Sequence, residues 1–184
     1  MLAIYNRVAD WNAKRYEQEF NITLTTDLLV EELEEFLEAQ EPVDELDALC
    51  DLTYLAMGGL WKLDKPLDPE VAVSALKAVE SLMNHRIVLH PITLLAAVLT
   101  EIEVEPEMTM YKVIAVSTLL MLHFGFDQEQ CEAAMHIVCD SNDTKPAKKT
   151  ASDVKANIDK GVYFTPPEPR LQELLDQVSE EVKH

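Results

Sequence analysis

Apolar side chains recur along most of this chain at the three- and four-residue spacing of an amphipathic helix. Ile4, Val8 and Trp11 begin the pattern and predict a first helix over residues 2–20. Prolines, polar caps and breaks in the pattern place seven further helices, at about 27–40, 42–63, 68–85, 90–104, 107–122, 127–139 and from 169 onward. The sequence therefore predicts an all-α fold, a helical bundle.

Individual residues set several of these helix boundaries. Thr26 is expected to cap the second helix, and Asp127 with Gln130 resembles a capping box at the start of the seventh. Gly125 is expected to end the sixth helix. Residues 140–167 are polar and rich in lysine and proline, so an extended loop is expected there.

The composition fits one domain with a packed core. The 184 residues are 48% hydrophobic, and four glycines with nine prolines favour helices punctuated by prolines over a turn-rich β-sandwich. Three cysteines without a CxxC pair favour a reducing, cytoplasmic setting. The N-terminus lacks a basic region followed by an apolar run, so no signal peptide is expected. The longest uncharged stretches are shorter than the roughly 20 apolar residues that cross a bilayer.

The chain carries 34 acidic and 15 basic side chains, a formal net charge of -19. Because binding to phosphate polymers and anionic lipids depends on Lys and Arg, this charge argues against a nucleic-acid polymer and against a membrane surface as partners. The acids are unevenly distributed: residues 16–61 contain 13 of them and no Lys or Arg. A solvated helix face usually mixes the two signs, because like charges one turn apart repel.

A short connection around Glu41 makes the second and third helices an antiparallel hairpin. Reflection about Glu41 sets carboxylates at matching heights, in the pairs Glu35 with Asp47, Glu31 with Asp51, and Glu38 with Asp44. Such carboxylates repel one another, and a divalent cation removes the conflict. Oxygen ligands without histidine select Mg²⁺ or Mn²⁺, and Mg²⁺ usually shares its coordination with substrate phosphates. The hairpin thus predicts a metal site for phosphoanhydride chemistry, with a strongly acidic solvent face as the alternative.

Two motifs on the hairpin resemble those of a known superfamily. Glu31-Glu32-Leu33-Glu34-Glu35 is an EExxE motif. Asp47 and Asp51 lead into a stretch similar to the D-L-x-Y-x-x-x-G continuation of MazG-like and phosphoribosyl-ATP pyrophosphohydrolase-like proteins. The resemblance implies an all-α nucleoside triphosphate pyrophosphatase that uses Mg²⁺, with Mn²⁺ able to substitute, and releases a nucleoside monophosphate and pyrophosphate.

The resemblance also implies roles for single residues. Glu32, Glu35 and Asp51 take the metal-ligand positions, and Glu31 is a further ligand or the base that activates water. Glu31 and Glu35 are thus the expected catalytic carboxylates. The second motif of the superfamily is ExxD, but no acid lies three residues before Asp51 in this chain. Asp47, four residues before it, is the nearest acid and is expected to complete the metal site.

A second resemblance lies late in the chain. Residues 140–145 and 160–167 are similar to the SNxxK, KG and PP tail of the superfamily, whose Asn and Lys face the substrate. This similarity predicts that Asn142, Lys145 and Lys160 bind substrate phosphates. Six of the fifteen basic side chains lie between residues 143 and 170, and a flexible lysine is a good partner for a polyphosphate held by metal.

The resemblance also divides the single domain into parts. These are a core of about 1–61 and 124–167, inserted helices at about 62–123, and a C-terminal helix at about 169–182. Proteins of this superfamily commonly form homodimers or homotetramers, so a homo-oligomer is expected. The apolar runs 92–99 and 113–122 are expected to pack against the hairpin or to form a dimer interface.

Three functions are consistent with these observations. The leading one is a nucleoside triphosphate pyrophosphohydrolase that removes unwanted nucleotides from the cellular pool. The second is phosphoribosyl-ATP pyrophosphohydrolase, although the inserted helices favour the first. The third belongs to another class: a non-catalytic all-α adaptor whose acidic surface binds a basic partner protein.

Overall fold

The structure, a computed structural model, describes residues 1–84, 91–146 and 162–181. Within these residues it contains eight α-helices and no strand. The helices are α1 Leu2–Ala13, α2 Ile22–Glu38, α3 Pro42–Lys62, α4 Pro69–Asn84, α5 Pro91–Leu99, α6 Pro106–His123, α7 Gln128–Thr144 and α8 Glu168–Glu181. The predicted all-α fold class is confirmed.

The first helix is shorter than its apolar pattern predicted. α1 ends at Ala13 instead of continuing to residue 20. The N–H groups of Arg15 and Tyr16 both bond to the carbonyl of Asn12, which turns the chain at this point.

The second helix begins at Ile22 rather than at Asp27. The side chain of Asn21 caps it by accepting the N–H of Leu24 at 3.0 Å. The predicted cap, Thr26, was therefore wrong. Thr26 lies inside the helix, and its hydroxyl donates to the carbonyl of Ile22 at 2.8 Å.

α3 is the central helix, and its apolar side chains are buried from Leu46 to Leu60. α1, α2 and α6 all pack against it. Gly59 permits the close approach of α6, because a Cβ at this position would come within 2.6 Å of the Met110 sulfur. The hairpin of α2 and α3 is thus anchored on a close-packed core.

The helices α4, α5 and α6 lie in the segment that the sequence predicted as an insertion. α6 contacts α3, α4 and α5, and α5 also contacts α2. Their buried side chains belong to the same hydrophobic cluster as those of α3. The helices that carry the apolar runs 92–99 and 113–122 therefore pack against the hairpin, as expected.

The fifth helix ends earlier than predicted. α5 stops at Leu99 rather than near residue 104. The next three N–H groups bond to carbonyls three residues back, so the chain continues in tighter turns. The predicted end of the fourth helix at His85 and the start of the fifth at His90 lie outside the described residues.

The seventh helix is longer than predicted. It starts with the predicted capping box of Asp127 and Gln130, and Gly125, with φ of 90°, follows the end of α6 as expected. It runs on to Thr144, so the predicted loop is wrong for residues 140–144. Polar side chains in this last turn are buried or ion-paired with distant residues, which the composition could not reveal.

In the described ranges, no single helix is long and apolar enough to cross a membrane. Helices α6 and α7 meet that criterion of length and composition only as a pair, bent by 114°.

Tyr111 holds the linker between α3 and α4. Its buried hydroxyl donates to the carbonyl of Pro66 at 2.8 Å and accepts the N–H of Asp68 at 2.7 Å. We expect Tyr111→Phe to lower the free energy of unfolding by about 1–2 kcal/mol, because both backbone groups lose their partner. Tyr163→Phe, at an exposed site, is the control. Denaturant unfolding measures both variants, and equal stability of the two would contradict this role.

Candidate active site

The hairpin carboxylates differ in their exposure to solvent. Glu32 is only 2% exposed, whereas Glu31 and Glu35 are exposed. On α3, Asp47 and Asp51 are half-buried. Of the three glutamates that define the EExxE motif, the structure therefore buries Glu32 alone, and it leaves the two expected catalytic carboxylates accessible to water.

Asp47 lies at the centre of a group of charges. Its Oδ1 atom is buried and accepts no hydrogen bond from the part of the chain that the structure describes. Burial, followed by the negative charges of Asp51, Glu168 and Glu32, raises the pKa of the Asp47 carboxyl group to about 8, and Lys145 acts in the opposite direction. Charged groups from α2, α3, α8 and the end of α7 therefore meet around this carboxyl group.

Lys145 brings a cation from the late part of the chain to the acidic hairpin. It is the half-buried residue that caps the C-terminus of α7. Its ammonium nitrogen lies 5.7 Å from the centroid of the Phe164 ring, a cation–π distance. The charge of this predicted phosphate-binding lysine acts on the carboxyl group of Asp47, a predicted metal ligand.

The other two predicted phosphate-binding residues are placed differently. Asn142, in the last turn of α7, is only 5% exposed, and its carbonyl accepts the indole N–H of Trp11 at 2.8 Å. Lys160 lies outside the described residues.

Ion pairs also hold the last turn of α7. Arg7 of α1 binds Asp140 and Asp143, each at 2.6 Å, and Arg170 of α8 binds Asp140 at 2.7 Å. Burial opposes the charged form of Asp140, but the hydrogen bonds from Arg170 and Arg7 hold its pKa below the usual value. These partly exposed pairs tie α1, α7 and α8 together, with a modest effect on stability.

Glu168 is a site residue that the sequence did not predict. It is the first residue of α8, it is half-buried, and its Oε2 atom is buried without a hydrogen bond from any described residue. Its charge acts directly on Asp47. An acid in the first turn of a helix is usually explained by the helix dipole. The residue type and position of Glu168 therefore did not indicate a role in the site. The one available signal was its place immediately after the PP motif of the tail.

The donor set fits a hard divalent cation in its chemistry. Only carboxylates converge on Asp47, and two of their oxygens, on Asp47 and Glu168, are buried without hydrogen bonds from the described residues. A cation there would offset their repulsion. Among the described residues, however, no group of three His, Cys, Asp or Glu side chains is arranged to hold a metal ion. Metal binding at this hairpin would therefore require side-chain adjustment.

The family model for phosphoribosyl-ATP pyrophosphohydrolase matches residues 4–72. This match and the all-helical fold fit the MazG-like and phosphoribosyl-ATP pyrophosphohydrolase superfamily. The matched segment contains most of α1, all of α2 and α3 and the start of α4, and with them every predicted carboxylate of the hairpin. The match supports a pyrophosphohydrolase of this superfamily. The matched segment ends before the last turn of α7 and before α8. No curated protein and no solved structure matches the chain.

The raised pKa of Asp47 makes stability depend on pH. The folded protein keeps this proton up to pH about 8, whereas an ordinary Asp loses it near 3.8. Between these values the folded state binds more protons than the unfolded state, so its stability falls as pH rises. In a chelator, we expect the melting temperature of Asp47→Asn, relative to the unmodified protein, to rise progressively from pH 4 to pH 8.

Asp44→Asn is the matched control, because Asp44 is an exposed acid on the same helix. Its difference in melting temperature from the unmodified protein should stay constant from pH 5 to pH 8. A constant difference for Asp47→Asn over the same range would show that this carboxyl group ionises normally.

Proposed function

We propose that this protein is a Mg²⁺-dependent nucleoside triphosphate pyrophosphohydrolase. The proposal is supported above all by one observation: the charges of Glu32, Asp51 and Lys145 all act on the carboxyl group of Asp47. Carboxylates suited to a cation stand next to an ammonium group suited to phosphate, so a polyphosphate could be held from both sides. The family match supports the reaction class, hydrolysis of a phosphoanhydride bond.

The buried and half-buried carboxylates are the main proposed ligands. Glu32, Asp47 and Asp51 would hold Mg²⁺, with Glu168 as a further contact from α8 and Glu35 at the exposed edge. Mn²⁺ would substitute, because both ions accept oxygen ligands. When bound, the cation supplies positive charge that neutralises the triphosphate and polarises a water molecule.

The exposed carboxylates suit proton transfer. Water reaches Glu31 and Glu35 from solvent, so either group can accept the proton of an attacking water molecule. The water oxygen forms a bond to phosphorus, and the bond between the nucleoside monophosphate and pyrophosphate breaks. Lys145, Asn142 and Lys160 would hold the phosphates, and the ammonium groups would stabilise the negative charge that develops.

A second candidate is phosphoribosyl-ATP pyrophosphohydrolase, which the description of the matching family model favours. The same kind of bond is broken, so the same carboxylates and lysine would serve. Of the two candidates, we prefer a hydrolase that removes unwanted nucleotides from the cellular pool. Assembly as a homodimer or homotetramer and a cytoplasmic location stay predictions.

A substrate panel tests the proposal. The protein is incubated with Mg²⁺ and canonical or modified (deoxy)nucleoside triphosphates, and separately with phosphoribosyl-ATP. We expect pyrophosphate and the matching monophosphate from at least one of them. Asp51→Asn should lower kcat/KM by roughly 100-fold or more, since a charged group that stabilises the reacting phosphates through the cation is lost. Asp44→Asn, exposed on the same helix, should keep its activity.

Two results would overturn this assignment. Full activity of Asp51→Asn would remove the hairpin from the reaction. No turnover of any substrate, together with a melting temperature that Mg²⁺ does not raise, would favour the non-catalytic acidic adaptor instead.

A further inference from the structure

The end of α1 contacts the turn that carries the two described phosphate-binding candidates. Trp11 donates its indole N–H to the carbonyl of Asn142 at 2.8 Å, and Arg15 donates to the carbonyl of Lys145 at 3.0 Å. Carbonyls near the C-terminus of a helix have few partners within the helix. Here the Asn142 carbonyl also accepts the N–H of Lys145 at 3.1 Å, and the Lys145 carbonyl lies just beyond α7. Both carbonyls bond to side chains from the end of α1 and the turn that follows it.

The side chains of Trp11 and Arg15 also support each other. The guanidinium carbon of Arg15 lies 4.2 Å from the centroid of the Trp11 ring, and Arg15 donates a further bond to the carbonyl of Trp11 at 3.3 Å. A planar guanidinium can stack on a ring and donate at its edge at the same time, which a lysine ammonium cannot. The geometry is therefore specific to arginine at this position.

The same tryptophan is fixed to the carboxylate helix. Its ring meets that of Tyr54 edge-on, with centroids 5.8 Å apart. Tyr54 is buried and lies on α3 three residues after Asp51, on the same side of the helix. Trp11 thus contacts both the helix that carries the proposed metal ligands and the turn that carries Lys145.

We propose that Trp11 and Arg15 form a clamp that positions Lys145 and Asn142 over the carboxylate hairpin. They are positioning residues: they act through the backbone of the α7 turn and do not touch substrate. This inference rests on the proposed function, because positioning Lys145 and Asn142 matters only if they bind phosphate. It assigns α1 and the turn after it, which carry none of the predicted site residues, a direct part in the geometry of phosphate binding.

Kinetics distinguishes positioning from general stability. Arg15→Gln removes the guanidinium cation that stacks on Trp11. Arg15→Lys keeps the charge but loses the planar guanidinium group. Trp11→Phe keeps an aromatic ring but loses the indole N–H. We expect all three to raise KM for the triphosphate, by about tenfold for Arg15→Gln, because the lysine is misplaced. A variant that is only partly unfolded would lower apparent kcat and leave KM unchanged. Lys14→Gln, an adjacent exposed cation, is the matched control for charge and should leave KM unchanged.

A double-mutant cycle tests whether the clamp acts through Lys145. Arg15→Gln should change KM by less than about twofold when Lys145→Ala is already present, since coupled residues are not additive. An equal effect of Arg15→Gln with and without Lys145 would overturn the inference.

Hydrogen exchange of the segment 139–146 provides a readout besides activity. We expect faster exchange in Arg15→Gln and Trp11→Phe than in Lys14→Gln, because the last turn of α7 opens more readily without its donors. Unchanged exchange, or unchanged KM in an active protein, would overturn the clamp alone. An unmodified protein that hydrolyses no substrate would instead overturn the proposed function and, with it, the purpose of the clamp.

Discussion

The candidate site depends on the repulsion between carboxylates that are partly shielded from water around the α2–α3 hairpin. Asp47 is held beside Asp51, Glu168 and Glu32, and an ionised carboxyl group in such a place is costly unless a positive charge accompanies it. The proton that Asp47 retains is the direct consequence. Lys145 supplies one positive charge, which relieves part of the repulsion and leaves the group suited to a further cation.

The hydrophobic core keeps these acids in place. On α3, Leu46, Leu49 and Leu52 are fully buried beside the positions of Asp47 and Asp51. Packing against α6 therefore fixes the same helix that carries the carboxylates, so the side chains that stabilise the fold also set the spacing of the site. Locally unfavourable charge at a functional site is commonly compensated by good packing elsewhere in the molecule.

Local patterns predicted the helices and the acidic hairpin, whereas long-range contacts decided the rest. Asn21 and Thr26 are both capable helix caps, and spacing alone could not choose between them. The polar composition of the last α7 turn predicted a loop. Its acids Asp140 and Asp143 are instead paired with Arg7, which lies far away in the sequence, so composition alone could not reveal the helix. Glu168 reaches the site only because the end of the chain folds back onto α3. The hairpin acids could be found from the sequence, but which of them are buried could not.

We propose that the hairpin carboxylates form a site which a hard divalent cation completes. Carbon-13 NMR titration of the Asp47 carboxyl group tests it most directly, first in a chelator and then with Mg²⁺. We expect a pKa of about 8 in the chelator and a clearly lower pKa with Mg²⁺, because a bound cation stabilises the carboxylate. A pKa near the ordinary 3.8 under both conditions would contradict the claim.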